Sequence, residues 1–139
     1  MQPMPKARNR FLFAVFIVLL LFCQLVGYIV IRSGARYWAN DGLPVLSETV
    51  VSTYYYVLFF AVLVTVLYFI RKLTAKNIDL LLALVGAGAA SNLFDRVFRG
   101  AVMDYIDLWI WPSFNVADIF IVVGAVLVVV KIFMGVPKL

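Results

Sequence analysis

Three short stretches gather groups that could do chemistry together: Ser91-Asn92-Leu93-Phe94-Asp95-Arg96, Gly100-Ala101-Val102-Met103-Asp104-Tyr105 and Phe114-Asn115-Val116-Ala117-Asp118. The chain has no histidine and a single cysteine, Cys23. That excludes Ser-His and Cys-His nucleophiles, an intrachain disulfide, zinc sites built from cysteine pairs and most catalytic zinc sites. Acid–base work therefore falls to carboxylates, lysines or tyrosines. Asn92, Asp95, Arg96 and Arg99 recur at helical spacings and share one helix face. Asn115 and Asp118 share a face in the same way. Asp118 is followed by the apolar stretch Ile119 to Val130, which sets it at the edge of a membrane. A bare carboxylate there costs several kcal/mol unless it is paired or protonated. If the connector after Arg99 folds back, Asp104 meets Asp118. Two carboxylates that close share a proton, and one can act as base on a water while the other acts as acid towards a scissile carbonyl. Spacing alone leaves that meeting open. Plainer roles exist for the neighbours: Asp95 can pair with Arg96 or Arg99 to close a helix end, Asn92 and Asn115 can bond across helices, and Asp107 fits a solvated surface charge.

The elements that must position these groups follow from composition. Of the 139 residues, 65% are hydrophobic, more than a soluble domain of this size can hide. Long apolar runs without period-two alternation point to membrane helices. Four spans are expected, at about 11–31, 54–70, 78–94 and 114–134, in one bundle covering 1–139. Lys6, Arg8 and Arg10 precede the first run as they would a signal peptide, and Leu20-Leu21-Phe22-Cys23 faintly echoes a lipoprotein cleavage box. The run is too long and Phe22 too bulky for either, so a retained span is expected. Asn40-Asp41-Gly42 reads as a turn, and Val50 to Tyr56 as strand or helix start. Tyr54, Tyr55 and Tyr56 suit an interfacial belt. Gly86, Ala87, Gly88, Ala89 and Ala90 suit close helix approach, and Asp95 to Trp111 reads as a charged connector.

With the N-terminus inside, Lys6, Arg8, Arg10, Arg71, Lys72, Lys76, Lys131 and Lys138 lie on the cytoplasmic side, against Arg32, Arg36, Arg96 and Arg99 outside, which accounts for all 12 basic residues. Both termini are thus expected in the cytoplasm. The net charge of +5 reflects this topology and not a nucleic-acid face.

Asn-x-x-Asp-Arg at Asn92–Arg96, Gly-x-Val-x-Asp-Tyr at Gly100–Tyr105 and Phe-Asn-x-Ala-Asp at Phe114–Asp118, followed by Ile121-Val122-Val123-Gly124, closely resemble the lipoprotein signal peptidase (type II signal peptidase) family. The strong match covers about Gly86 to Gly124. The resemblance implies an all-α membrane protein, a four-helix bundle with a small strand-rich extracytoplasmic segment between helices 1 and 2. It implies an aspartic endopeptidase of the bacterial plasma membrane, acting at the outer leaflet. Asp104 and Asp118 would be the catalytic dyad, Asn92, Arg96 and Asn115 would support the site or hold substrate, and Asp95 and Gly100 would orient it. The implied partners are membrane lipid and a prolipoprotein cut just before its diacylglyceryl-modified cysteine. No metal, cofactor or nucleic acid is expected, and a monomer is.

The sequence also departs from that family. Its first-span Asp-Gln-x-x-Lys element reads Cys23-Gln24-Leu25-Val26-Gly27 here, its Asn-x-Gly-Ala-Ala-Phe segment is not recognisable between Arg32 and Tyr56, and Ser91 replaces a glycine. Two other readings follow: a divergent paralogue that handles or merely binds another peptide, or a transporter or assembly subunit with Asp118 and Arg96 on an ion path. The latter should carry charges at mid-span, whereas these gather at one leaflet.

Overall fold

A computed structural model of the chain describes residues 6–40, 58, 60–68, 70–71, 78–110 and 112–133. Three helices dominate it: α1 (Lys6–Ser33), α2 (Asp79–Arg99) and α3 (Val116–Phe133). Each is long and apolar enough to cross a bilayer. At 1.5 Å per residue they measure about 42, 31 and 27 Å against a hydrocarbon core of about 30 Å. Residues 58, 60–68 and 70 are also helical and fall within the expected second span. The remainder of that expectation, with Tyr54 to Tyr56, Val50, Asp41, Gly42, Lys72, Lys76 and Lys138, lies outside the described residues.

Two boundaries differ from the sequence reading. The first helix begins at Lys6, so Arg8 and Arg10 lie within it. The third expected span does not stop near residue 94. Asp95, Arg96 and Arg99 belong to the last turns of α2 and not to a connector. The reason is local: Arg96 and Arg99 are favourable beside the negative end of the helix dipole. Gly100 then closes the helix, with φ 80° and its N–H on the Arg96 carbonyl at 3.2 Å. That left-handed conformation is open to glycine and turns the chain back.

The turned chain forms β2 (Val102–Asp104), which pairs antiparallel with β1 (Trp38–Asn40). Asn40 is therefore the last residue of a strand, and the rest of the expected Asn40-Asp41-Gly42 turn lies outside the described residues. Trp38 stands opposite Asp104 and Asn40 opposite Val102, so the side chains of Asn40, Val102 and Asp104 share one face. After β2 the chain forms a hairpin closed by an antiparallel bridge between Ile106 and Phe114, and α3 follows at once.

The helices touch through small residues, as lipid requires, because apolar area alone gives no preference for protein over acyl chain. A Cβ on Gly88 would lie 2.4 Å from the Ala117 carbonyl oxygen, and one on Gly124 would lie 2.6 Å from Val85 Cγ2. These approaches run in opposite directions along the chain, so α2 and α3 are antiparallel. Between α1 and α2, Arg8 meets Asp79 while Gln24 meets Ser91 and Asp95, so those two run parallel. Large apolar side chains such as Phe13, Leu21, Val122 and Val129 face outward.

Candidate active site

The site lies where the C-terminal end of α2, strand β2 and the start of α3 converge. Asn115 begins α3 with a reciprocal cap: its Oδ1 accepts the Asp118 N–H at 3.1 Å, and Asp118 Oδ2 accepts the Asn115 N–H at 3.0 Å. This satisfies backbone donors that a helix start leaves open. Tyr105 adds to it, its phenol oxygen accepting the Val116 N–H at 3.3 Å.

The same asparagine reaches across to β2. Its Nδ2 donates to Asp104 Oδ1 and to Asn92 Oδ1, each at 3.1 Å. Asn92 in turn donates to Asp118 Oδ1 at 2.7 Å. Asn40 donates to Asp104 Oδ2 at 2.9 Å. Every carboxylate oxygen of the two aspartates thus accepts a hydrogen bond, and Asn115 touches both. The pair anticipated from the sequence meets through this residue. Asp104 is only 3% exposed and Asn115 4%, whereas Asp118 is half-buried.

Burial holds Asp104 above the usual carboxylate range. The Asn40 amide opposes this, the negative charge of Asp118 adds to it, and the Asn115 amide and the Arg96 guanidinium oppose it again. A carboxyl so placed keeps its proton further towards neutrality than an exposed one does. Tyr105 is likewise raised, chiefly by burial.

The remaining residues singled out from the sequence fall around this centre. Arg96 reaches back to the Asn92 carbonyl at 3.5 Å and lends its charge to Asp104. Asp95 pairs with Arg99 one turn on, the structural ion pair that its spacing allowed. Asp107 is exposed and binds the Trp109 N–H at 2.8 Å.

Three residues matter more than their sequence context suggested. Asn40 is the second donor to Asp104. In the sequence that role was hidden within the Asn40-Asp41-Gly42 turn signal. Gln24 donates to Ser91 Oγ at 2.9 Å, to the Ser91 carbonyl at 3.2 Å and to Asp95 Oδ1 at 3.0 Å, tying α1 to the polar end of α2. An amide inside an otherwise apolar span is itself a signal, since it needs a partner there. Ser91 supplies that partner.

A membrane-helical bundle that presents two aspartates on a shared asparagine has clear relatives. The family model for signal peptidase (SPase) II matches residues 32–134. The lipoprotein signal peptidase of Aquifex aeolicus is 39% identical over 83 residues, covering 57% of this chain and 49% of its own. That of Blochmanniella pennsylvanica is 37% identical over 107 residues, covering 70% and 65% respectively. Each alignment spans less than two thirds of the relative's length. A solved structure described as a bacterial membrane enzyme, obtained by the in meso method at 2.3 Å resolution, superimposes with a TM-score of 0.72. It covers 89% of this chain and 87% of its own at 22% identity, a likeness of fold. The chain belongs to the signal peptidase II family.

Proposed function

We propose that this protein is an aspartic endopeptidase that removes the signal peptide from diacylglyceryl-modified prolipoproteins at the outer leaflet of the bacterial plasma membrane. The observation that carries the reading is the bridging of Asp104 and Asp118 by Asn115, with Asp104 buried and raised. Asp104 enters the cycle protonated and Asp118 as the base. Asp118 takes a proton from a water whose oxygen attacks the scissile carbonyl carbon, while Asp104 gives its proton to the carbonyl oxygen. The resulting gem-diol collapses as Asp118 returns its proton to the amide nitrogen, the C–N bond breaks and Asp104 recovers its own. Asn115, Asn92 and Asn40 orient the two carboxylates, and Arg96 adds positive charge beside them.

Gln24 supports the reading despite the altered first span. It retains the central polar residue of that element and ties it to Asp95, although Cys23 and Gly27 stand where the family carries charges. Four crossings with cytoplasmic termini fit the contacts as well. Asn40 reaches Asp104 at one end of the bundle, and Arg71 joins Arg8 and Asp79 at the other. The chain between residues 40 and 71 therefore has to travel the length of α2.

Cleavage of a diacylglyceryl prolipoprotein by purified protein in detergent tests the proposal, with Asp104→Asn and Asp118→Asn alongside. Cutting before the lipidated cysteine is expected, lost in both variants while their thermal unfolding stays cooperative. Full activity in either variant would remove the dyad, and a folded, inactive parent would favour the divergent paralogue.

A further inference from the structure

The hairpin between β2 and α3 has a composition that a location in water would not favour. Its feet are the two halves of the site. The Tyr105 and Ile106 N–H groups donate to the Phe114 carbonyl at 3.1 and 2.8 Å, and Phe114 N–H returns a bond to Ile106 at 3.0 Å. Asp104 lies just before one foot, Asn115 and Asp118 just after the other. Its outer part carries Leu108, Trp109 and Ile110, which are 55%, 94% and 92% exposed. The backbone there is bent tightly: Ile110 N–H bonds to the Leu108 carbonyl at 2.8 Å around Trp109, whose φ is 69°. Among the described residues Trp109 is the only non-glycine in that left-handed region. A bulky side chain is strained there, and the Asp107 carboxylate holds the bend by accepting the Trp109 N–H. The bend leaves an indole and an isoleucine facing outward with nothing of the described protein over them.

We propose that Leu108, Trp109 and Ile110 insert into the headgroup–acyl boundary of the bilayer and so set the depth of the two aspartates. The occupant follows from continuity. The hairpin leads directly into α3, whose outward residues Ile119, Val122 and Val123 are exposed apolar groups on a membrane-length helix. Tryptophan favours the boundary at which such a helix leaves the bilayer. Because the feet carry Asp104 and Asp118, fixing the tip in lipid fixes the height at which a lipid-anchored peptide bond meets them. The catalytic side of this inference rests on the proposed peptidase activity; the insertion does not.

The test uses full-length protein with Trp38→Phe and Trp111→Phe, leaving Trp109 as the sole tryptophan. It is placed in nanodiscs of phosphatidylethanolamine and phosphatidylglycerol with acyl chains brominated close to the headgroup. Loss of most Trp109 emission, together with protection from aqueous iodide, is expected. Iodide quenching equal to that of free tryptophan, with no effect of bromine, overturns the insertion. Should the triple-tryptophan background not tolerate those changes, Ile110→Cys labelled with an environment-sensitive dye in Cys23→Ser protein reads the same contrast. For the depth role, Trp109→Ser with Ile110→Ser should lower cleavage about tenfold in bilayers and leave it unchanged in detergent micelles. Equal loss in both media overturns that role. An inactive parent counts against the peptidase reading alone, and the quenching result still decides the insertion.

Discussion

Asn115 does two jobs with separate atoms, and they can be pulled apart. Its side-chain oxygen caps α3 while its amide nitrogen donates to Asp104 and Asn92. Asn115→Ala should lose both: about 1 kcal/mol of stability from the cap and roughly 100-fold in turnover from the misoriented carboxylates. Asn115→Ser restores a capping oxygen but no second donor. It should therefore unfold near the parent temperature in detergent while remaining as slow as the alanine variant; recovery of activity in the serine protein would show that the amide is dispensable. The raised Asp104 makes a second prediction. A carboxyl raised in the folded state destabilises that state above its unfolded value, and the cost disappears as pH falls below it. Thermal stability should thus gain from acidification through this residue, and Asp104→Asn should flatten that gain. In catalysis the alkaline limb of kcat/KM should mark loss of the Asp104 proton. Asn40→Ala removes the largest influence opposing the shift, so it should move that limb to higher pH as well as lowering the rate. A limb left in place by Asn40→Ala would assign the titration to another group.

Three glycines of the α2 region look alike in sequence and differ in what surrounds them. A Cβ at Gly88 would fall 2.4 Å from a backbone oxygen that cannot move aside, so Gly88→Ala must push α2 from α3. A loss on the order of 2 kcal/mol is expected, with disturbed activity because Ala117 sits beside Asp118. At Gly100 there is no neighbour within 4 Å, only the left-handed φ of 80°. Gly100→Ala should cost about 1 kcal/mol through backbone strain. Gly86 would meet Phe16 Cε2 at an ordinary 3.5 Å, and Gly86→Ala should be neutral or slightly stabilising. Thermal unfolding of the three variants in one detergent checks the order; a Gly86 variant weaker than Gly88 would contradict the packing. That ranking was not legible in the sequence, because helical periodicity assigns a residue to a face but not to a distance from the facing helix. Asn92, Asp95 and Arg96 were legible, since periodicity alone puts them on one face beside a helix end. The pairing of β1 with β2 was not: strands of three residues, distant in the chain, carry no alternation long enough to read, so the contact of Asn40 with Asp104 had no signal.

At the scale of the whole molecule, charge is sorted to two ends. Asp79 is held by Arg8 and Arg71 at one end, while Asp104, Asp118 and the asparagines that bind them gather at the other. The half-exposed arginines make the Asp79 cluster worth little in stability, since solvent screens such pairs. Its value is as a topological clamp, joining the start of α1, the helical residues that precede α2 and the start of α2 itself. Basic residues favour the cytoplasmic side, and this clamp carries two of them beside Lys6 and Arg10. The site end should then face outward. Cys23 is 5% exposed and buried against the bundle, so Cys23→Ser provides a cysteine-free background expected to retain activity. In that background Ala35→Cys lies just past the end of α1 on the site side, and Lys6→Cys at its opposite end; both positions are exposed. In spheroplasts a membrane-impermeant maleimide should label Ala35→Cys at once and Lys6→Cys only after lysis. The reverse pattern would place the aspartates in the cytoplasm, where a peptide bond presented at the outer leaflet could not reach them, and would end the proposed function together with the orientation.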